Sequence, residues 1–136
     1  MTTPTTYELQ PIGYVKSPLV DRATAPKHGS EGAPDAWLVF DAAVSEGLRG
    51  LAVGDDILVL TWLHQAARDV LSVHPRGDLD SPLTGVFDSR SPDRPNPIGV
   101  HRVRIVAIDG IRLRVSELEA IDGTPVLDVK PAHGDA

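Results

Sequence analysis

The chain has 136 residues, enough for one domain, and 41% of them are hydrophobic, which excludes wholesale disorder. Nineteen acidic side chains against thirteen basic ones give a formal charge of −6, which excludes nucleic-acid binding by bulk positive charge. The lack of cysteine excludes disulfides, thiolate metal sites and cysteine nucleophiles. No apolar run nears the roughly 20 residues of a membrane helix, and Met1–Thr6 has neither the basic start nor the apolar stretch of a signal peptide. A soluble cytoplasmic domain is the expectation.

Twelve glycines and twelve prolines predict many short elements joined by turns. Residues 1–6 and 132–136 are expected to be flexible ends. Leu9–Val15 reads as an edge or irregular strand because it carries Pro11 and Gly13. Residues 21–35 form a polar loop, long enough to be functional. Ala36–Phe40 reads as a strand and Ser45–Leu51 as a short helix or turn. Asp56–His64 is the most apolar strand, and Arg68–Val73 a weaker one. Val100–Ile108 and Ile111–Val115 flank Asp109-Gly110, a two-residue hairpin signal. Alternation there puts Arg102 and Arg104 on one face, with Val103 and Ile105 on the other. The same register gathers Arg112 and Arg114 beside them. Pro125–Val129 is the last strand. About seven short strands and no long amphipathic helix predict a mainly β fold, a small β-barrel with few short helices.

One segment stands apart: Gly85-Val-Phe-Asp-Ser-Arg90-Ser-Pro-Asp-Arg94-Pro-Asn96-Pro-Ile-Gly99. Prolines 92, 95 and 97 fix three φ angles and push the preceding residues toward extended geometry, so the loop is stiff without a regular ladder. It presents Arg90, Arg94 and Asn96, and rigid presentation of donors suits a ligand site. A proline-stiffened surface loop whose arginines pair with Asp88 and Asp93 accounts for the same residues.

RSPDRPNPIG resembles the signature RSPxRPNPIG of the TrmO (TsaA-like) family of S-adenosylmethionine-dependent tRNA methyltransferases. Three other segments resemble that family in the same order: Pro11–Pro18, Leu60–Gln65 and the block from Asp122 to Pro131 that includes Asp128 and Lys130. The resemblance runs from about Leu9 to Pro131. It implies a β-barrel that binds S-adenosyl-L-methionine outside any Rossmann fold, as a homodimer, and methylates N6 of threonylcarbamoyladenosine beside the tRNA anticodon. No G-x-G-x-x-G motif opens a helix here, in keeping with that fold.

Carried over residue by residue, the family's cofactor contacts fall on Pro26, Lys27 and His28 in the 21–35 loop, on His64 and Gln65, and on Arg90. They fall also on Val100 and on Leu118, Glu119, Ala120 and Ile121, whose backbone would read the adenine edge. Arg94, Asn96 and Lys130 are candidate acceptor-binding residues, and Asp128 a candidate for orienting the acceptor amine. Several positions depart from the family pattern. Lys27-His28 stands for Arg-Gln, Asp88 for Ala, and His101 for Ser. The stretch after Pro131 is short. The Lys27-His28 change alters contacts to the cofactor in detail. The changes together touch the acceptor side more than the cofactor side, so a small-molecule acceptor, or cofactor binding without transfer, stays open beside tRNA.

Arg90 and Arg94 also have the R-x-x-x-R spacing of PilZ domains, which bind cyclic di-GMP, but no D/N-x-S-x-x-G element follows. His64, His74 and His101 are spaced unlike any zinc motif, and no metal is expected.

Overall fold

The computed structural model describes residues 5–23 and 25–132. The expected flexible ends lie largely outside that range, as does His133. Eight strands alternate with 3-10 turns: β1 Gly13–Lys16, β2 Ala36–Phe40, β3 Asp56–Trp62, β4 Ser72–Val73, β5 Thr84–Gly85, β6 Ile98–Asp109, β7 Arg112–Val115 and β8 Pro125–Pro131. Six of them close into an antiparallel barrel in the order β1-β2-β7-β6-β3-β8, while β4 and β5 pair separately. The expected mainly β barrel is the fold observed.

Period-two alternation builds the wall. Along β3, Ile57, Val59 and Thr61 face inward, and Leu58, Leu60 and Trp62 face out. Their interior partners include Val15, Leu38, Phe40, Ile105, Leu113, Val115 and Val126, all buried. Leu118 and Ala120, from the segment between β7 and β8, plug the same core.

Several boundaries differ from the expected ones. The first strand begins at Gly13, where the backbone lies so close to Val39 and Phe40 of β2 that a Cβ would collide with it. The weaker strand predicted over Arg68–Val73 shrinks to β4, paired only with β5. Ser45–Leu51 is replaced by a 3-10 helix at Ala42–Leu48, capped by Asp41, whose carboxylate accepts from the Ala43 N–H at 3.0 Å. The hairpin turn is Gly110-Ile111, because Asp109 pairs with Arg112 across it. A bulge between Ile105 and Ala107 then shifts the register, so Arg114 lies beside Ala107.

The connections β1–β2 (17–35), β3–β6 (63–97) and β7–β8 (116–124) all leave the same end of the barrel, since Lys16 pairs with Trp37, Ala36 with Val115, Trp62 with Ile98 and Tyr14 with Pro125. The short hairpin and the Ala42–Leu48 helix close the other end.

Candidate functional site

The three long connections bind one another at their shared end. Arg22 donates to the Gln65 carbonyl at 2.9 Å and to Asp93 Oδ1 at 2.7 Å. That same Oδ1 accepts from the Ala67 N–H at 2.8 Å, and the Arg94 N–H donates to the Ala67 carbonyl at 3.0 Å. Arg76 adds an ion pair to Glu31. The 21–35 loop is thereby held to the proline-rich segment and to the 74–78 turn.

Within the proline-rich segment the two arginines do different work. Arg94 is half-buried, and its guanidinium donates to the carbonyls of Val86, Ser89 and Ser91. It fastens its own loop. Its planar fork suits several carbonyls at once. Arg90 is exposed and makes no hydrogen bond or ion pair among the described residues. The pairing of these arginines with Asp88 and Asp93 is therefore not observed; Asp93 serves Arg22 instead. Asn96 accepts at Oδ1 from Arg68 at 3.1 Å, and Arg68 also lies over the Trp62 ring at 5.1 Å.

Other predicted residues gather at this end. His64 lies past the end of β3, and Lys27 in the loop between β1 and β2; both are exposed and without a partner among the described residues. Pro26 is half-buried in the loop. His28 caps a 3-10 turn at Gly29–Glu31, its Nδ1 accepting from the Ser30 N–H. Gly29 packs on the next segment: a Cβ there would lie 3.3 Å from Glu119 Oε2. Leu118, Ala120 and Ile121 are buried, so they can offer a ligand only backbone. Leu118 donates its N–H to Pro34 at 3.0 Å, and the Ile121 carbonyl accepts from Thr124 at 2.6 Å. Ala120 N–H and C=O make no hydrogen bond among the described residues. Glu117, just before, sits at a φ of 42°, a left-handed conformation costly for a side-chain residue and held by its N–H bond to Asp35.

Val100, Asp128 and Lys130 stand elsewhere. Val100 and Asp128 both pair with the outward-facing Leu60, which puts them on the outer wall of β6 and β8. Asp128 is exposed and lies 3.6 Å from Lys130. The barrel-wall arginines are likewise paired: Arg104 with Asp56 at 3.1 Å, Arg102 with Asp56 at 4.0 Å, Arg112 with Asp109 at 2.6 Å and Arg114 with Asp35 at 3.8 Å. A phosphate-binding patch would instead leave cations unpaired.

Two polar residues lie inside the barrel, His101 and Thr61, the second of which the sequence did not single out. Thr61 Oγ1 is 2.7 Å from His101 Nε2, and His101 Nδ1 is 2.5 Å from Glu119 Oε1. Thr61 is fully buried and His101 is 5% exposed. Burial pushes the Glu119 carboxyl up, but the hydrogen bond and charge of His101, its own backbone N–H and the charge of His28 together outweigh it, so it is held below its ordinary value. The legible signal was His101 on the inward phase of an apolar strand, where an imidazole needs a partner. Among the described residues no group of three or more His, Asp or Glu is arranged to hold a metal.

An open groove of about 510 Å³ lies at the opposite end, between the Ala42–Leu48 helix and the hairpin, and touches none of these residues.

The chain is similar to known proteins. A probable S-adenosyl-L-methionine-binding protein of Methanothermobacter thermautotrophicus is 39% identical, the match covering 93% of this chain and 90% of that one. An S-adenosyl-L-methionine-binding protein of Archaeoglobus fulgidus is 42% identical over 90% of this chain and 86% of its own. The crystal structure of TrmO from Pseudomonas aeruginosa superposes with a TM-score of 0.74 at 31% identity, covering 97% of this chain. The present chain spans 61% of that TrmO's length. With residues 14–135 matching the description of the tRNA-methyltransferase O N-terminal domain, the chain belongs to that family.

Proposed function

We propose that this protein is an S-adenosylmethionine-dependent methyltransferase whose acceptor is N6 of threonylcarbamoyladenosine beside a tRNA anticodon. The observation that carries the reading is Arg90: a guanidinium on a proline-stiffened loop, left without a partner at the end where the three long connections meet. The remaining residues fit the same ligand. Arg90 suits a carboxylate bidentately, the unpaired Ala120 backbone groups suit an adenine edge, and Pro26, Lys27 and His28 cover the site as a lid. When bound, S-adenosylmethionine supplies an electrophilic methyl group on a sulfonium.

The protein's own part is chiefly positioning. Displacement at a sulfonium neutralises charge, so holding the reactants in line and excluding water gives most of the acceleration. Arg22, Asp93 and Arg94 hold the loops in which Arg90, His64 and Gln65 stand. An adenine N6 loses its proton late, so no strong base is required. Asp128, on the outer wall, orients an acceptor there only if the acceptor reaches over the rim of the barrel or is brought by a second copy.

We infer a cytoplasmic homodimer. Exposed Leu71, Leu79, Leu83 and Phe87 around the β4–β5 hairpin provide apolar surface for such contact. No helix among the described residues is long and apolar enough to cross a membrane.

The paired state of Arg102, Arg104, Arg112 and Arg114 favours a second reading, a small-molecule acceptor. One experiment separates the two: transfer of a radiolabelled methyl group to tRNA that carries threonylcarbamoyladenosine and to tRNA that lacks it. Label in the modified tRNA alone supports the first reading. Label in neither, with S-adenosylmethionine bound, favours a small acceptor or no transfer.

A further inference from the structure

The 3-10 turn at Val86–Asp88 is held from both sides. Val86 is buried, its N–H donates to the Leu71 carbonyl at 3.0 Å, and its carbonyl accepts from Arg94. The Ser89 carbonyl accepts from the same guanidinium at 3.1 Å, and the Ser91 N–H donates to Ser89 Oγ at 3.0 Å. Between these anchors stands Phe87, 84% exposed. A phenyl ring in water gives up free energy that burial would recover. Because the backbone that carries this one is pinned, ordering it against a ligand forfeits little entropy.

The chain has six aromatic side chains, and the other five are engaged or lie elsewhere. Phe40 is in the core, while Trp62 and Trp37 are covered by Arg68 and Arg112 at 5.1 and 4.8 Å. Tyr14 is on the outer wall of β1, and Tyr7 lies ahead of Ile12, whose carbonyl accepts from Asp41 at the far end of the barrel. Phe87 is thus the exposed aromatic of the end where the three long connections meet.

Free positive charge is confined to the same end. Lys16, Lys27 and Arg90 make no hydrogen bond or ion pair among the described residues, and Lys16 closes β1 there while the other two stand in the connections. Against a net charge of −6, so few cations cannot hold RNA by phosphate contacts alone. Asp88, beside Phe87, offers a phosphate nothing. What the turn presents is a ring face, and every unpaired base has a face to match it.

We propose that Phe87 stacks on an unpaired base of the RNA loop that carries the acceptor adenosine. The inference rests on the tRNA reading above and names a residue that favours single-stranded over paired RNA. Bases in a duplex are already stacked on one another, whereas those of a loop can be splayed onto an aromatic side chain. A second copy of the chain is the competing occupant. The exposed leucines at 71, 79 and 83 can meet it without the ring, and the free cations at this end favour the RNA.

The test is titration by fluorescence anisotropy, with S-adenosylhomocysteine present, of an anticodon stem-loop RNA carrying threonylcarbamoyladenosine and of a fully paired RNA duplex of equal length. Wild type is expected to prefer the stem-loop. Phe87→Ala and Phe87→Leu are each expected to bind it roughly tenfold more weakly, the size of one base stacked on an aromatic ring, and to lose most of the preference. Phe87→Trp, which offers a larger face, is expected to keep it. The slope of log affinity against log salt should not change, since no phosphate contact is removed. Affinity for S-adenosylhomocysteine, thermal midpoint and sedimentation coefficient should also match wild type. Stem-loop binding that survives in Phe87→Ala or Phe87→Leu overturns the inference, as does a wild type that binds both RNAs equally. So does a Phe87→Ala protein that shifts toward single protomers or loses S-adenosylhomocysteine, which would assign the ring to a subunit or cofactor contact. A wild type that binds S-adenosylhomocysteine but neither RNA overturns the tRNA reading itself.

Discussion

Arg22 Nη2 lies 2.7 Å from Asp93 Oδ1, joining the loop after β1 to the proline-rich segment across 71 residues of sequence. Both side chains are partly exposed, at 41% and 28%. Their direct worth to folding is therefore below about 1 kcal/mol. What they fix is the position of one loop over another. Arg22→Ala is expected to leave the thermal midpoint within a few degrees of wild type while raising hydrogen exchange at residues 25–31 and 65–67. Cofactor affinity should fall several-fold, because the lid must then be ordered on binding. Unchanged exchange in both stretches would remove the clasp from the account.

Arg94 and Arg90 should separate cleanly. The Arg94 guanidinium satisfies three loop carbonyls from a half-buried position, and Lys has no fork with which to do so. Arg94→Lys is expected to destabilise the fold by about 1–3 kcal/mol and to weaken ligand binding as the loop loosens. Arg90→Ala should weaken binding with no shift in midpoint. Denaturant titration of the two variants checks this, and equal stability would refute the distinction.

Gly99→Ala puts a methyl group against Thr61 and His101 inside the barrel. Overpacking of that kind costs about 1–3 kcal/mol. Adding Thr61→Ala to it should recover part of the loss, since the nearer of the two contacts is then relieved. A double-mutant cycle by chemical denaturation reads the coupling, and strict additivity would show that the two positions do not compete for that space.

Glu119 gives a pH dependence of definite sign. Its carboxyl is held below the ordinary value of 4.5, so on acidification the unfolded chain takes up this proton before the folded one does. The stability it contributes is present above about pH 4.5 and disappears as the pH falls through the lower, folded-state value. The stability difference between wild type and Glu119→Gln should therefore be largest at neutral pH and shrink on acidification below pH 4.5. A difference that grows toward acid would mean that the carboxyl is raised, and that His101 does not dominate it.

Much of the barrel was legible in the sequence because alternation is a local signal. Ala36–Phe40 and the apolar run from Asp56 reappear as strands, and the second arm of the hairpin is off by a single residue. Less local features were not. Arg68–Val73 has strand-like residues but no neighbour in the barrel to complete its ladder. The hairpin register depended on a bulge after Ile105, which no dipeptide announces. The segments that resemble the family's cofactor contacts lie in continuous motifs, and the topology accounts for their meeting, as all three connections leave one end. The bonds of Arg94 to its own loop were not legible, because a guanidinium that serves its own loop looks, in sequence, like one that serves a ligand. Thr61 and Arg22 were missed because their partners, His101 and Asp93, lie 40 and 71 residues away.

The central claim is that Arg90 and its neighbours form a site for S-adenosylmethionine, and calorimetric titration of S-adenosylmethionine and S-adenosylhomocysteine into wild type and Arg90→Ala tests it most directly. The account predicts saturable binding of both to wild type, weakened at least tenfold in a variant of unchanged stability, the size expected for losing a charge-assisted contact. Wild-type protein that binds neither ligand, or an Arg90→Ala variant that binds both as tightly as wild type, would contradict it.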